Sequence, residues 1–215
     1  MLSVDTIFFD IDGTLVDARA DIAKAMNYAL AKLGFSQKPQ DEIVSYIGTG
    51  VTDLIRKSLD DKADEFIVEN ALKLYSDYYT SHSHDQATLY PHVKETLEHF
   101  KNKQNFILTN RYGTLAEATL KGLGIRKYFV EIIGGDDENC LKPSACVLDP
   151  VLTRLNIDKD RSIIVGDMNI DVMTGKNSGI KTCWVTYGLG KAEDVKLLKP
   201  DYIIDDLIKL KEIIN

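Results

Sequence analysis

The chain has 215 residues, enough for one large domain or for a domain carrying a smaller insert. Its 44% hydrophobic and 27% charged residues are the proportions of a globular protein and exclude a disordered chain. A net charge of −7 argues against a nucleic-acid-binding surface, yet leaves room for a small anionic substrate met by a cation and a lysine.

The first predicted element is the apolar run Ile7 to Phe9, which suits a strand buried on both faces of a parallel sheet. It stops at Asp10 and Asp12. Side chains alternate along an extended chain, so these two carboxylates can point the same way, and Gly13 then permits a sharp turn. Two carboxylates at ~4 Å repel by roughly 4 kcal/mol at an effective dielectric of about 20. Such a pair asks for a cation or a shared proton; the plainer reading is a solvated pair ending a strand. A calcium-binding EF-hand loop starting at Asp10 would need Gly and Glu where the chain has Leu15 and Asp21, so that reading fails.

From Asp17 to about Tyr79 the pattern is helical. Ile22, Met26, Ala29, Leu30 and Leu33 fall at helical spacing, with Gly34 placed to end the helix. Shorter helices are predicted near 41–47 and 52–59, and Ile67, Ala71, Leu74 and Tyr78 form a further stripe. This block reads as an inserted bundle tied to the rest through linkers near 14–18 and 80–89. In the second linker His82, His84 and Asp85 suggest metal ligands, but no partner at suitable spacing accompanies them, and a polar hinge is the simpler expectation.

Beyond Pro91 helix and strand alternate. Val93, Leu97 and Phe100 mark a helix; Asn105 to Leu108 is a strand ending at Thr109 and Asn110; a helix covers about 114–122. Val130 to Ile133 is the next strand, Val151, Leu152 and Leu155 are helical, and Ser162 to Val165 leads to Gly166 and Asp167. A helix over roughly 170–178, strands at 182–185 and 201–204, and a last helix with Leu207, Leu210 and Ile214 inward complete the pattern. This alternation predicts an α/β fold: a doubly wound parallel sheet, Rossmann-like, with a small all-helical domain inserted after the first strand. The expected division is 1–15 with 85–215 for the core and 16–84 for the insert.

Three cysteines, Cys140, Cys146 and Cys183, are too few for a disulfide framework and lack zinc spacing, so reduced and mostly buried thiols are expected. No basic segment with a following apolar region opens the sequence, and no run reaches the ~18 apolar residues of a membrane span, so the expected location is cytoplasmic, without a membrane partner.

Ligands of open α/β sheets bind beyond the carboxyl ends of the strands. Those ends offer Asp10, Asp12, Thr109, Asn110 and Asp167, and Lys142 lies in a loop after a strand. Three carboxylates, a hydroxyl, an amide and an ammonium suit phosphoryl transfer, in which positioning and charge stabilisation dominate. Asp10 and Asp167 supply oxygen ligands of the kind Mg²⁺ takes. Each residue also has an ordinary explanation, Lys142 as a surface lysine before Pro143 and Asp167 as a helix cap.

In order, Asp10-Ile11-Asp12-Gly13-Thr14, Leu108-Thr109-Asn110, Lys142-Pro143 and Gly166-Asp167 with Asp171 resemble the four motifs of the haloacid dehalogenase-like hydrolases. The helical insert is similar to that family's cap. Leu15-Val16-Asp17, Ile47-Gly48-Thr49-Gly50, Leu89-Tyr90-Pro91, Gly134-Gly135-Asp136 and Val185-Thr186-Tyr187-Gly188 resemble its phosphoglycolate phosphatase-like branch. The resemblance implies a Mg²⁺-dependent phosphatase of small phosphorylated metabolites, monomeric or homodimeric. Asp10 would be the nucleophile and Asp12 the acid/base, while Thr109, Asn110 and Lys142 hold the phosphoryl group. The metal set would be Asp10, Asp12 through its backbone carbonyl, Asp167, and Asp171 in support.

The chain departs from the family pattern at Ser144-Ala145 after the Lys-Pro pair and at His92, where relatives often have Gly. Met168 stands where Ser or Thr is common, and Pro150 implies a late helix start with Asp149 as cap. Arg56 and the Gly48-Thr49-Gly50 loop are candidates for substrate recognition, Arg56 having the alternative of a solvated helix residue. A phosphosugar mutase on the same fold remains open. A phospho-accepting receiver domain would place its lysine last and carry no insert, and a dehalogenase would lack Asp12.

Overall fold

The computed structural model describes residues 1–60 and 63–215. Its centre is the strand β1 (Thr6–Phe9), whose four residues are all buried, as the unbroken apolar run requires. Chain order then gives β2 (Val16–Asp17), α1 (Arg19–Lys32), α2 (Gln40–Val44), α3 (Val51–Ser58), α4 (Glu65–His82) and β3 (Thr88–Leu89). The remainder alternates through α5 (Val93–His99), β4 (Gln104–Leu108), α6 (Gly113–Gly122), β5 (Glu131–Ile133), α7 (Asp149–Arg154) and β6 (Ser162–Gly166). It closes with α8 (Asn169–Ser178), β7 (Lys181–Val185), α9 (Ala192–Leu197), β8 (Tyr202–Ile204) and α10 (Leu210–Ile213).

Six strands form one parallel sheet in the order β5-β4-β1-β6-β7-β8. After β1 the chain builds outward on one side through β4 and β5, then returns to build the other side from β6. The order therefore reverses at β1, which puts the crevice at its carboxyl end, between β4 and β6. The two faces of the sheet bury different sets. Ile7 and Phe9 join Ile107, Ile163 and Val165, whereas Phe8 joins Phe106, Leu108 and Ile164 under Val151 and Leu152 of α7. Phe8 and Phe106 stack at 5.2 Å, a cross-strand pair that fixes the β1–β4 register Phe8↔Phe106.

The helical insert is present, with α1 packed on α4 and α2. Gly34 follows the end of α1 at φ +80, the left-handed conformation that Gly adopts without a Cβ clash. The buried stripe of α4 is Val68, Ala71, Tyr75 and Tyr79, one position on from Ile67, Leu74 and Tyr78 of the expected stripe. Tyr75 and Tyr79 stack on each other at 5.6 Å and turn inward, so the aromatic pair sets the helix rotation. The apolar core runs without a break from the sheet face containing Phe9 into Met26, Leu30, Ile55 and Tyr79 of the insert.

The two linkers are joined to each other. Val16 pairs with Leu89 and Asp17 with Thr88 in a short antiparallel ladder, and the buried Asp21 accepts the Gln86 and Ala87 N–H groups at 2.8–3.1 Å. His82 pairs with Asp85 at 2.9 Å on the surface, and neither His82 nor His84 belongs to a metal-ligand group among the described residues.

Two local expectations need revision. Cys140 and Cys146 form a disulfide rather than staying reduced, because the loop between β5 and α7 folds back and brings their Cα atoms to 5.7 Å; Cys183 is the buried free thiol. Helix α7 starts one residue early, with Leu148 at the cap and Asp149 in the first turn beside Pro150. His92 adopts φ +58, in the left-handed region that favours Gly, and its Nδ1 lies 2.7 Å from Asp206 Oδ2.

Candidate active site

The loop after β1 turns on one carbonyl: Ile11 O accepts the N–H groups of Thr14, Leu15 and Val16 at 2.9–3.2 Å. Gly13 takes φ +87 there, and a Cβ on it would overlap the Asp167 carboxylate, so the turn and the close approach both require Gly. Asp10 stays in line with the sheet, its N–H donating to Val165 O of β6 at 3.0 Å. Asp10 and Asp167 therefore leave adjacent strands at the same level.

Lys142 enters from the loop enclosed by the disulfide. Its Nζ donates to Asp10 Oδ1 at 2.7 Å, to Asp171 Oδ1 at 2.7 Å and to Leu108 O at 3.1 Å, which uses all three of its N–H bonds. Asp171, in the first turn of α8, also accepts the Met168 N–H at 2.9 Å and so caps its own helix. Asp167 accepts from Thr14 Oγ1 at 2.9 Å and from the Leu189 N–H at 2.6 Å. Trp184 Nε1 holds the Asp167 carbonyl at 2.9 Å. The plainer readings of a surface lysine and of Asp167 as the cap of α8 are thus overtaken.

Carboxylate oxygens of Asp10, Asp167 and Asp171, all buried, lie within 4.8 Å of one another around a single ammonium. Burial raises the Asp10 pKa well above the ordinary range, and Asp171 and Asp167 add to this against the lowering by Lys142. Asp167 is pushed up to about 7, by burial first and by Asp171 second. Burial alone would neutralise Lys142, but Asp10 and Asp171 outweigh it and keep the ammonium charged. Three carboxylates against one ammonium leave uncompensated negative charge on hard oxygen donors. That donor set fits Mg²⁺.

A pH dependence follows for the protein without metal. Asp167 titrates near 3.8 when unfolded and about 7 when folded, so its contribution to stability is full below about 4 and is lost as pH rises to 7. The exposed aspartates with lowered values, such as Asp5, Asp17 and Asp85, have finished titrating by pH 5 and do not oppose it. In chelator, the melting temperature should fall by several degrees between pH 5 and 7.5, and Mg²⁺ should remove that fall. A flat profile in chelator, read by thermal denaturation, would contradict the charge arrangement.

Asp12 belongs to a different set. Its carboxylate, partly buried, pairs with Arg111, not with the cluster, and the buried guanidinium lies against Tyr79 of α4. Asn110 spends its side chain inside the protein: Nδ2 donates to Gly48 O at 2.8 Å and Lys142 O at 3.0 Å, and Oδ1 accepts the Lys142 N–H at 2.7 Å. It clasps the insert and the Lys142 loop. Thr109 Oγ1 accepts the Arg111 N–H at 3.1 Å and keeps its hydroxyl proton for a ligand.

Asp10, Asp12, Thr109, Asn110, Arg111 and Lys142 line a cleft of about 470 Å³, open solvent included, whose far wall is Ile22, Gly48, Gly50, Val51, Leu54 and Tyr75 of the insert. Met168 reaches across it to Gly48, where a Cβ would touch its Sδ at 2.9 Å. Arg56 does not line this cleft but a neighbouring groove, and it pairs with Glu65 at 2.6 Å. Sequence reasoning missed Arg111. Its position directly after the strand-end pair Thr109-Asn110 was the available signal.

A Rossmann-like core with carboxylates and a lysine at its switch point, under a helical cap, defines a hydrolase that works by phosphoryl transfer. The profile of the family described as haloacid dehalogenase-like hydrolase matches residues 7–185, and this chain belongs to that family. It is 31% identical over 219 residues to a phosphoglycolate phosphatase of Vibrio parahaemolyticus, covering 98% of this chain and 96% of that one. It is 34% identical over 212 residues to a phosphoglycolate phosphatase of Aquifex aeolicus, covering 96% of each. A crystal structure of a predicted phosphoglycolate phosphatase from Haemophilus somnus superposes with a TM-score of 0.89 at 26% identity, over 99% of both chains. The protein is accordingly a Mg²⁺-dependent phosphatase acting through an aspartyl phosphate. No helix among the described residues is long and apolar enough to cross a membrane.

Proposed function

We propose that Asp10 is the nucleophile and Asp12 the acid/base in hydrolysis of a small phosphomonoester, with phosphoglycolate or a comparable metabolite as substrate. The observation that carries this reading is Lys142 held between Asp10 and Asp171 at 2.7 Å each, beside Asp167. An Asp10 oxygen attacks phosphorus and the bond to the leaving oxygen breaks. Asp12 gives its proton to that oxygen, then takes one from the water that attacks the aspartyl phosphate. Mg²⁺, when held by Asp10, the Asp12 backbone carbonyl and Asp167 with Asp171 in support, neutralises charge on the phosphoryl oxygens. A phosphoryl oxygen takes over the Lys142 donor that Asp10 holds at rest, and Thr109 Oγ1 supplies a further donor.

Residues 16–84 are proposed as the cap and 1–15 with 85–215 as the core. The apolar cap wall and the relatives' names support a small substrate, and the Asn110 bond to Gly48 supports a cap seated on the core. The chain acts as a monomer or homodimer, in the cytoplasm. A mutase would need cap groups that retain its substrate, and Arg56, the cap cation offered for substrate recognition, faces Glu65.

Steady-state kinetics test the reading: phosphoglycolate or a comparable small phosphate should exceed any phosphopeptide in kcat/KM by at least about 10²-fold, because the cap walls the cleft. A phosphopeptide matching the best metabolite would overturn it.

A further inference from the structure

The pairing of Asp12 with Arg111 has no counterpart in the roles assigned above. Resting on the reading of Asp12 as the acid/base, we infer that Arg111 is a positioning residue that holds the Asp12 carboxylate for proton transfer and ties it to the seated cap through Tyr79.

Arg111 follows the last residues of β4 into the cleft, and its guanidinium is 5% exposed. Both terminal nitrogens of the guanidinium are occupied. Nη2 donates to Asp12 Oδ1, and Nη1 donates to the Tyr79 hydroxyl and, at 3.0 Å, to Thr119 Oγ1. The cation also lies 4.8 Å from the centre of the Tyr79 ring. Thr119 is in core helix α6 and Tyr79 in cap helix α4, so one planar group spans the two layers.

A guanidinium fixes direction as a flexible ammonium does not, because its donors are set in a plane. Asp12 is held through one oxygen, and its other oxygen carries the proton to and from substrate. A buried arginine must keep its partners, so the guanidinium plane follows Tyr79 as well as Asp12. Moving α4 away removes Tyr79 and frees the plane, and Asp12 then loses its orientation. Proton transfer is thereby strongest when the cap is down and water is limited.

Arg111 touches no reacting atom, so its loss should lower kcat and leave KM nearly unchanged. The test uses the full chain with Mg²⁺ and two substrates: the best alkyl phosphate, whose leaving oxygen needs a proton, and p-nitrophenyl phosphate, whose leaving group does not. Arg111→Met should lower kcat on the alkyl phosphate by about 10²-fold with KM within about threefold. The burst of p-nitrophenol that reports phosphorylation should survive. Arg111→Lys should recover only part of the loss, and Tyr79→Phe, which keeps the ring and deletes the hydroxyl, should lower kcat by about threefold to tenfold in the same leaving-group-dependent way.

The deciding measurement is Arg111→Met in an Asp12→Asn background, where no further loss is expected because Arg111 acts only through Asp12. Multiplied losses there, or a rise in KM without a fall in kcat, overturn the inference and leave the role of Asp12 standing. Near wild-type turnover of the alkyl phosphate by Asp12→Asn alone overturns the acid/base reading and this inference with it. If Arg111→Met does not fold, Tyr79→Phe decides: equal losses on both substrates, or none, count against the coupling.

Discussion

Asp10→Asn is expected to reduce phosphate release from any substrate by more than about 10⁴-fold while leaving the fold intact. The amide has nearly the shape of the carboxylate but is a poor nucleophile, and Asp12, the other carboxylate at the carboxyl end of β1, is turned to Arg111 rather than to the cluster. Stability should hold or rise. The cluster has three buried carboxylates against one ammonium, and burial already drives the Asp10 pKa upward. Removing one negative charge therefore relieves repulsion, while the amide oxygen can still accept from Lys142 and Asp171 keeps its own bond at 2.7 Å. Phosphate-release assays and thermal melts of the two proteins check both halves. Turnover within a hundredfold of wild type would mean that another group attacks phosphorus.

Much of this arrangement was legible in the sequence, for a physical reason. Strands buried on both faces are continuous apolar runs, and in a parallel sheet their carboxyl ends share one edge, so Asp10, Thr109 and Asp167 could be grouped without coordinates. Lys142 could be assigned to the loop after a strand, but a long loop with no periodicity does not say where its side chain goes, and the family resemblance supplied its role. The two-residue strands β2 and β3 were invisible because a ladder that short leaves no alternation to read. The rotation of α4 was missed by one position, because Tyr79 carries a hydroxyl whose buried partners lie elsewhere in the chain. Tyr79 meets Arg111 and Thr119, 32 and 40 residues away. Arg111 itself reads as solvated in any local window, since its carboxylate partner is 99 residues earlier. The Cys140–Cys146 disulfide was likewise hidden: three sparse cysteines carry no framework, and only the folded loop brings two of them together.

Lys142→Met should produce the largest loss of stability of any single change in the site, together with loss of activity. The lysine is a buried cation whose two partners are buried anions, so its removal does more than delete two ion pairs. It leaves Asp10, Asp167 and Asp171 within 4.8 Å of one another with no positive charge among them. Breaking a buried pair from one side typically costs about 3–5 kcal/mol. Part of that cost can be avoided by protonation, so the deficit should grow as pH rises from 5 to 8, as the carboxyl groups lose the protons that would neutralise them. Mg²⁺ should restore much of the stability of the variant, because it supplies the missing charge to the same oxygens. It should not restore turnover, because the donor that a phosphoryl oxygen takes over from Asp10 is gone. Lys142→Arg separates charge from shape: it keeps the charge, yet cannot place one nitrogen 2.7 Å from both carboxylates and 3.1 Å from Leu108 O. Urea unfolding in chelator and in Mg²⁺, at pH 5, 6.5 and 8, measures these effects together. A Lys142→Met protein as stable as wild type in chelator at pH 8 would show that the cluster is not held together by that ammonium.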